Sequence, residues 1–437
     1  MPADPPILLA TIGSLGDLHP CLALALALRE RGHRAVIAAT PWYRDRVEAL
    51  GLEFRPLRPD WNPTDSALIR QCENLRSGPA VLFRRLILPH LADTYADLLA
   101  ATRDARLMIA GELVFAAPLV AEKRNLPWIS AILSPTSFFS AHDPSVLAPV
   151  PELIHLRRAG PRLNRLALDI ARIAARHWWN PIRDLRRREG LRPDCEPVLR
   201  DKFSPHVVLA LFSPALARPQ PDWPPQTVQP GFVFHDGSSA ALAPELAAFL
   251  HAGDAPIVFT LGSTAVHHPD GFYETAIAAA RRIGRRALLI GAPSSLTASD
   301  TLAVPYAPYS QVFPRAAVNV HQGGSGTTGQ ALRAGRPMLV VPFGWDQPDN
   351  GARVARLGAG LCLSRRAWSA NTASRALARL LDDPQFSARA SALADQIAHD
   401  PGLPAACDAI AALLVRSTPP VGENGTHRLA TTAGRNL

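Results

Sequence analysis

The tightest constraint on this chain lies late in it, where His321-Gln322-Gly323-Gly324-Ser325-Gly326-Thr327-Thr328 separates two segments of regular pattern. Ahead of it, Ala317-Val318-Asn319-Val320 is a short apolar run of the kind that forms a strand buried on both faces. Beyond it, residues 330–334 have helical character and Gly335 supplies a stop. At such a strand, glycine-rich turn and helix start, the first N–H groups of the helix have no intrahelical partners. They point outward at the positive end of the helix dipole. Glycine lets backbone approach a ligand closely, and a phosphate is the ligand such a turn favours. Ser325, Thr327 and Thr328 add hydroxyl donors, and His321 at the strand end can donate to a diphosphate oxygen. A tight turn with no ligand would carry the same glycines, so the next segment decides. Residues 337–342 read as another strand, ending in Phe343-Gly344-Trp345-Asp346-Gln347-Pro348-Asp349-Asn350. That puts a polar cluster at the same carboxyl-terminal sheet edge, where open α/β sheets bind ligands.

The first residues repeat the theme. Residues 7–12 are a buried strand, Gly13-Ser14-Leu15-Gly16-Asp17-Leu18-His19-Pro20 a turn, 22–28 a helix stopped by Gly32, and 35–40 the next strand. A βαβ start predicts a doubly wound parallel sheet. The turn is not Gly-x-Gly-x-x-Gly and no acidic residue ends the second strand, which argues against a nicotinamide cofactor. Strands follow at 105–110, 128–133 and 203–212, with a helix around 118–122. The proline-dense stretch 214–230 reads as an extended linker. A second series opens with strand 256–261 and Gly262-Ser263-Thr264, then helix 271–283, strands 287–290 and 303–306, the turn 308–314, and helices through 369–415. The class is α/β, and 437 residues suffice for two cores. The expected division is a domain over 1–213, a linker over 214–235, a second domain over 236–417, and a polar, disordered tail over 418–437.

No apolar run is long enough to cross a bilayer, and no basic segment leads a signal-like stretch. Five scattered cysteines (Cys21, Cys72, Cys195, Cys362, Cys407) fit a reduced cytoplasmic protein without disulfides or a zinc site. A formal charge of +9 points to nucleic acid, anionic lipid or an anionic small substrate, and no nucleic-acid module is present. In residues 155–188, arginines alternate with Leu, Ile, Trp178 and Trp179, predicting amphipathic helix with a cationic face. A solvated face is the default reading, and peripheral contact with an anionic inner-membrane surface the sharper one.

His-Gln-Gly-Gly-x-Gly-Thr-Thr followed by Pro-Phe-x-x-Asp-Gln-Pro-Asp-Asn resembles the donor-binding signature of GT-B glycosyltransferases of family 1, the UDP-glycosyltransferase-like enzymes. Within them the chain is similar to the bacterial group that includes the rhamnosyltransferase of rhamnolipid synthesis. Macrolide, glycopeptide and sterol glycosyltransferases are more distant by this resemblance. The likeness runs over residues 7–415. It implies a GT-B fold, two Rossmann-like doubly wound domains facing across a cleft. It also implies inverting transfer of a hexose from a UDP- or dTDP-linked sugar to a hydroxyl of a hydrophobic small-molecule or lipid acceptor. The diphosphate would meet His321, Ser263 and the turn at Gly324, Ser325, Gly326 and Thr327, and the sugar would meet Asp346 and Gln347. Asp346 has a second role open to it as a helix cap.

The family's base falls on Asp17, in Gly-Asp-x-x-Pro; on the residues alone, a helix cap is the plainer role. Glu112 stands where many relatives carry an acidic partner for a histidine base. The nucleoside would lie against residues 306–312, with Tyr306, Tyr309 and Gln311 where relatives use tryptophan and glutamine. His19 is a packing or acceptor contact, and the loop 134–151, with Phe138 and His142, is an acceptor wall or a connector. No Asp-x-Asp triplet is present, so no metal and no cofactor beyond the nucleotide sugar is expected. A sugar-nucleotide 2-epimerase and a non-catalytic sugar-nucleotide-binding subunit are the alternatives. The acceptor, the sugar and the choice of UDP or dTDP stay open.

Overall fold

A computed structural model of the chain describes residues 4–62, 64–237 and 241–417, and the tail expected to be disordered lies outside them. The first sheet holds β1 (Ile7–Ala10), β2 (Ala35–Ala39), β3 (Glu53–Pro56), β4 (Leu107–Gly111), β5 (Trp128–Ile132), β6 (Val207–Ala210) and β7 (Thr227–Val228). The second holds β8 (Ile257–Thr260), β9 (Ala287–Ile290), β10 (Thr301–Val304), β11 (Val318–His321), β12 (Met338–Val340) and β13 (Gly360–Cys362). Six helices bear on the site and the surface around it: α1 (Leu15–Glu30), α2 (Pro161–Ala175), α3 (Asn180–Arg188), α4 (Ser325–Arg333), α5 (Gln347–Leu357) and α6 (Gly402–Ser417).

Both sheets are parallel, in the orders β3-β2-β1-β4-β5-β6-β7 and β10-β9-β8-β11-β12-β13. Helices cover both faces, which is why the strands are continuous apolar runs; all four residues of β1 are buried. The winding reverses between β1 and β4 in one sheet and between β8 and β11 in the other. Ala10 pairs with Ala110 and Thr260 with His321, so the turns after β1 and β4 emerge side by side, as do those after β8 and β11. Crevices at such reversal points are where open α/β sheets take ligands. The fold is thus the expected pair of Rossmann-like domains.

Two boundaries differ from the sequence reading. The proline-rich stretch is not wholly linker, because Thr227–Val228 adds an edge strand beside β6. The second domain does not keep the chain to 417. The last helix, α6, returns to the first domain and buries Ala406, Cys407, Ile410 and Leu413 in a core shared with Leu22 and Leu28 of α1. The apolar face of α6 had to be covered somewhere, and its periodicity could not say by which domain. At the return, the Gly402 N–H donates to the Pro230 carbonyl at 2.7 Å, so the outgoing and returning crossings touch.

Residues 155–188 are not one helix but a 3₁₀ stretch (Pro151–Ala159), α2, a 3₁₀ turn (Arg176–Trp179) and α3. The tryptophans turn inward: Trp178 and Trp179 pack against Phe83 at ring separations of 6.5 and 5.5 Å. Arg186 is buried and donates to Glu122, Arg165 pairs with Asp222 at 2.6 Å, and Arg172 reaches Asp169 and Glu196. About half of the expected cationic face is consumed in ion pairs, through Arg157, Arg165, Arg172, Arg186 and Arg187. Beside its exposed arginines α2 also leaves apolar side chains in solvent: Leu163, Leu166, Ile170 and Ile173 are each more than half exposed, at 53, 55, 60 and 58%. Among the described residues no helix is long and apolar enough to cross a membrane.

Candidate active site

The carboxyl-terminal ends of the two sheets face one cavity of about 510 Å³, lined from both domains. The first domain contributes Asp17 after β1, Glu112 after β4, and an apolar wall that includes Leu82, Phe83, Phe115 and Phe139. The second contributes Ser263 after β8, Gln322, Gly324, Ser325, Gly326 and Thr327 after β11, and Trp345, Asp346 and Gln347 after β12.

Asp17 lies inside α1, at its third residue, rather than ahead of the helix as expected. Ser14 is the N-cap, and the two form a reciprocal capping box in which the Ser14 N–H donates to Asp17 Oδ2 at 2.8 Å. Gly13 makes room for this carboxylate: its φ is +141°, and a Cβ there would lie 2.3 Å from Asp17 Oδ2. Capping therefore uses one oxygen and fixes the side chain, while the carboxyl group still lines the cavity. Burial pushes its pKa up to about 7, against the lowering effect of the Ser14 hydrogen bonds, and the neighbouring Glu112 and Asp346 carboxylates add to the rise. A carboxylate with a pKa near neutrality, aimed into a cleft, is suited to accept a proton from a hydroxyl.

Across the cavity the glycine-rich turn is built as the sequence implied. Gly323 has φ +93°, and a Cβ on it would fall 2.6 Å from Val340 Cγ1, so only glycine fits between β11 and β12. α4 begins at Ser325 with no side-chain cap, leaving its first N–H groups open toward the cavity. His321 is fully buried one layer behind the lining. Its Nδ1 accepts from the Gly323 N–H at 3.1 Å, which puts the ring proton on Nε2, a buried atom with no partner among the described residues. Burial pulls its pKa down to about 3, so His321 offers a neutral N–H and not a cation. Ser263 lines the cavity from the neighbouring strand end.

The Asp346-Gln347-Pro348-Asp349-Asn350 segment divides its work. Asp346 sits at the N-cap position of α5 but makes no side-chain cap hydrogen bond, so the alternative role as a cap fails. Its Oδ2 instead accepts from Ser325 Oγ at 2.6 Å and Asn350 Nδ2 at 2.8 Å, tying the two turns together. Burial raises its pKa to about 6. Gln347 Oε1 accepts from the N–H groups of Phe343 and Gly344 at 2.7 and 3.0 Å, leaving its amide NH₂ for the cavity it lines. Between them Trp345 holds φ +59°, a strained conformation for a non-glycine residue, and lines the cavity. Asp349 and Arg353 turn away to the first domain. Asp349 accepts from Thr136 Oγ1 at 3.0 Å and the Val146 N–H at 2.9 Å, and Arg353 Nε donates to it at 2.7 Å. Arg353 also pairs with Asp143. No signal in the sequence separated this interdomain pair from the cavity-lining Asp346 and Gln347.

Other expected residues lie elsewhere. Tyr309 stacks on Phe313 at 4.4 Å and shares a hydrogen bond with Thr260 Oγ1, so it braces β8. Tyr306 is exposed, and neither it, Tyr309 nor Gln311 lines the cavity. Phe138 is buried in the core, stacked on Trp223 at 4.0 Å; the next residue, Phe139, lines the cavity in its place. His142 is exposed on the loop and outside the lining. His19 packs beside His235 at 5.4 Å, and burial lowers its pKa to about 4. Lys202 was not singled out from sequence, yet it is a buried lysine in the cavity wall, 3.4 Å from Glu112. Among the described residues no group of three or more His, Cys, Asp or Glu side chains is placed to hold a metal ion.

Comparison with known proteins fits this geometry. Residues 7–138 match the model of the glycosyltransferase family 28 N-terminal domain, and residues 294–413 that of the erythromycin biosynthesis protein CIII-like C-terminal domain. O-mycaminosyltylonolide 6-deoxyallosyltransferase of Streptomyces fradiae is 36% identical, over 92% of this chain and 96% of its own. Vancomycin aglycone glucosyltransferase of Amycolatopsis orientalis is 31% identical, over 90% of this chain and 94% of its own. Macrolide and glycopeptide enzymes, expected to be more distant than the rhamnolipid group, thus align along nearly the whole chain. The structure of the spinosyn rhamnosyltransferase SpnG complexed with thymidine diphosphate superposes with a TM-score of 0.65 at 21% identity, over 93% of this chain and all of that one.

Proposed function

The chain belongs to the GT-B glycosyltransferases, and from that premise we propose that it transfers a hexose, with inversion, from a UDP- or dTDP-linked sugar to a hydroxyl of a hydrophobic acceptor. The observation that carries this reading is Asp17, a carboxylate with a pKa near 7 that shares one cavity with the open start of α4. Asp17 takes the proton of the acceptor hydroxyl while the oxygen attacks the anomeric carbon. The bond to the diphosphate breaks on the opposite side, and a single displacement inverts that centre. The α4 N–H groups, Ser263 and the Nε2–H of His321 stabilise the charge that grows on the leaving diphosphate. Asp346 and the Gln347 amide hold sugar hydroxyls, a role suited to an acceptor-only carboxylate beside a donor. The apolar wall from Leu82 to Phe139 favours a hydrophobic alcohol such as a polyketide or lipid. A nucleotide of the thymidine class is in keeping with the ligand of SpnG. The nucleoside contact expected at Tyr306 and Gln311 stays part of the proposal for an opened cleft. No specific observation favours an epimerase or a non-catalytic subunit.

The test is transfer from labelled UDP-glucose, dTDP-glucose and dTDP-rhamnose to a panel of hydrophobic alcohols, with product configuration read by NMR. Retention at the anomeric carbon would eliminate the single displacement. Absence of both transfer and thermal stabilisation by every nucleotide would eliminate the donor class.

Two variants probe the donor half. His321→Ala removes a hydrogen bond to a charged oxygen, so UDP or dTDP should bind about 1.5–3 kcal/mol more weakly by calorimetry. Equal affinity for the variant would make His321 a purely structural brace of Gly323. Asp346→Ala should leave affinity for the free nucleotide nearly unchanged and lower turnover of the intact donor, because orientation at the anomeric carbon is lost. Normal turnover per folded molecule would remove Asp346 from the sugar site.

A further inference from the structure

We propose that α2 is an interfacial anchor that lays its apolar stripe into the surface of an anionic lipid bilayer. The stripe is Leu163, Leu166, Ile170 and Ile173, spaced three, four and three residues apart, which places all four on one side of a helix. Each is more than half exposed, while large aliphatic side chains elsewhere in the chain are mostly buried. The helix cannot rotate the stripe inward. Asn164, on its opposite side, is buried and donates from Nδ2 to the Ala141 carbonyl at 2.9 Å. A contiguous apolar face fixed toward solvent marks an interaction surface.

Charge selects the occupant. Arg158, Arg162 and Arg176 are exposed at or beside the two ends of α2, and none has an ion-pair partner among the described residues. Helical spacing sets Arg162, Arg165 and Arg172 along one flank of the stripe with a single acidic residue, Asp169, which pairs with Arg172; Arg176 follows in the 3₁₀ turn at the end of α2. An apolar strip bordered by cations is the composition of a helix lying in the headgroup plane of an anionic membrane. A second copy of this chain fits worse, since a two-fold contact of stripe on stripe would set the same unpaired arginines against each other. The position of α2 relative to the cavity agrees with a membrane role. Val150, at the cavity lip and 41% exposed, is followed by the nine-residue 3₁₀ stretch that leads into α2. At about 2 Å per residue that stretch spans at most about 18 Å. The cavity mouth is therefore held close to the surface on which α2 would rest.

The proposal is independent of the sugar reaction and is tested without it. The full chain is sedimented with vesicles of phosphatidylcholine alone and of phosphatidylcholine with phosphatidylglycerol, at low and high salt. Binding is expected with phosphatidylglycerol vesicles and should weaken as salt rises. Arg162→Gln with Arg176→Gln keeps the stripe and removes two cations, so partitioning should fall by about thirtyfold. Leu166→Asp with Ile170→Asp, both at exposed positions, should abolish binding while leaving the melting temperature unchanged. Wild-type protein remaining in the supernatant with every vesicle would overturn the proposal. So would equal binding by both double variants, or sedimentation velocity showing a dimer that the Asp variant dissociates.

Discussion

Asp17→Asn is expected to lower turnover by about 10²–10⁴-fold, the range for loss of a positioned general base, with nucleotide affinity unchanged. Asparagine keeps the size and an oxygen that can accept from the Ser14 N–H, so the capping box survives and the fold should not move. That separation matters because the proposal gives Asp17 two jobs in one place, the observed cap and the proposed base. Near-normal turnover by the variant would reduce Asp17 to its cap. The wild-type pH profile carries an independent check. A base works ionised and the Asp17 pKa is raised to about 7, so under the proposed role kcat/KM should climb with pH and level off above about 7. Stability should move the other way. Between the unfolded value of 3.8 and about 7 the native state binds this proton and the unfolded chain does not, so this group's contribution falls as pH rises through that window. Conditions that switch the base on therefore loosen the element that holds it.

Arg353→Ala should destabilise the protein by about 3–5 kcal/mol, the range for breaking a buried ion pair from one side. Arg353 is 1% exposed and bonded to Asp349, Asp143 and Ser145, so its removal leaves Asp349 buried with only the Thr136 hydroxyl and the Val146 N–H. The same change removes the bonds from Arg353 of α5 to Asp143 and Ser145 of the loop 134–150, which also carries Ser134, Phe139 and Val150 of the cavity wall, and leaves Asp349 to hold that loop. Replacing both charges, Asp349→Asn with Arg353→Met, should recover part of the stability, since no charge is then left buried at Asp349, the Asn oxygen still accepts from the Val146 N–H, and Asp143 keeps Arg157. Urea denaturation followed by circular dichroism reads both. A loss below 1 kcal/mol in the single variant would mean the pair is not desolvated as described.

Period and punctuation carried most of the architecture. Each strand of both sheets except β3, β7 and β13 falls in an apolar run that announced itself, and the glycine-rich turn, with Gly323 at a positive φ, marked the cavity edge of the second sheet. The cavity wall was legible at Asp17 and Asp346, both singled out from sequence and both on the lining. It was not legible where the answer depends on which surface meets which. Asp346 and Asp349 are both acidic residues of one short motif, yet one faces the cavity and the other the opposite domain. Phe138 and Phe139 are adjacent, and only the strand-end geometry decides which is core and which is wall. The arginines of residues 155–188 drew attention as a face; their acidic partners, Asp222, Glu196 and Glu122, lie far away in sequence.

The touching of the two chain crossings, Gly402 against Pro230, has a mechanical meaning. Two bodies joined by a single tether can swivel and twist about any direction. A second tether placed beside the first removes most of that freedom, leaving the short line through both as the easiest axis. Elsewhere the two domains are joined by ion pairs, Arg70 with Asp270, Glu73 with His268, and Arg353 with Asp143. Opening of the cleft about the paired crossings is expected to break these pairs, and closing to return Asp17 and the start of α4 to the same relative position.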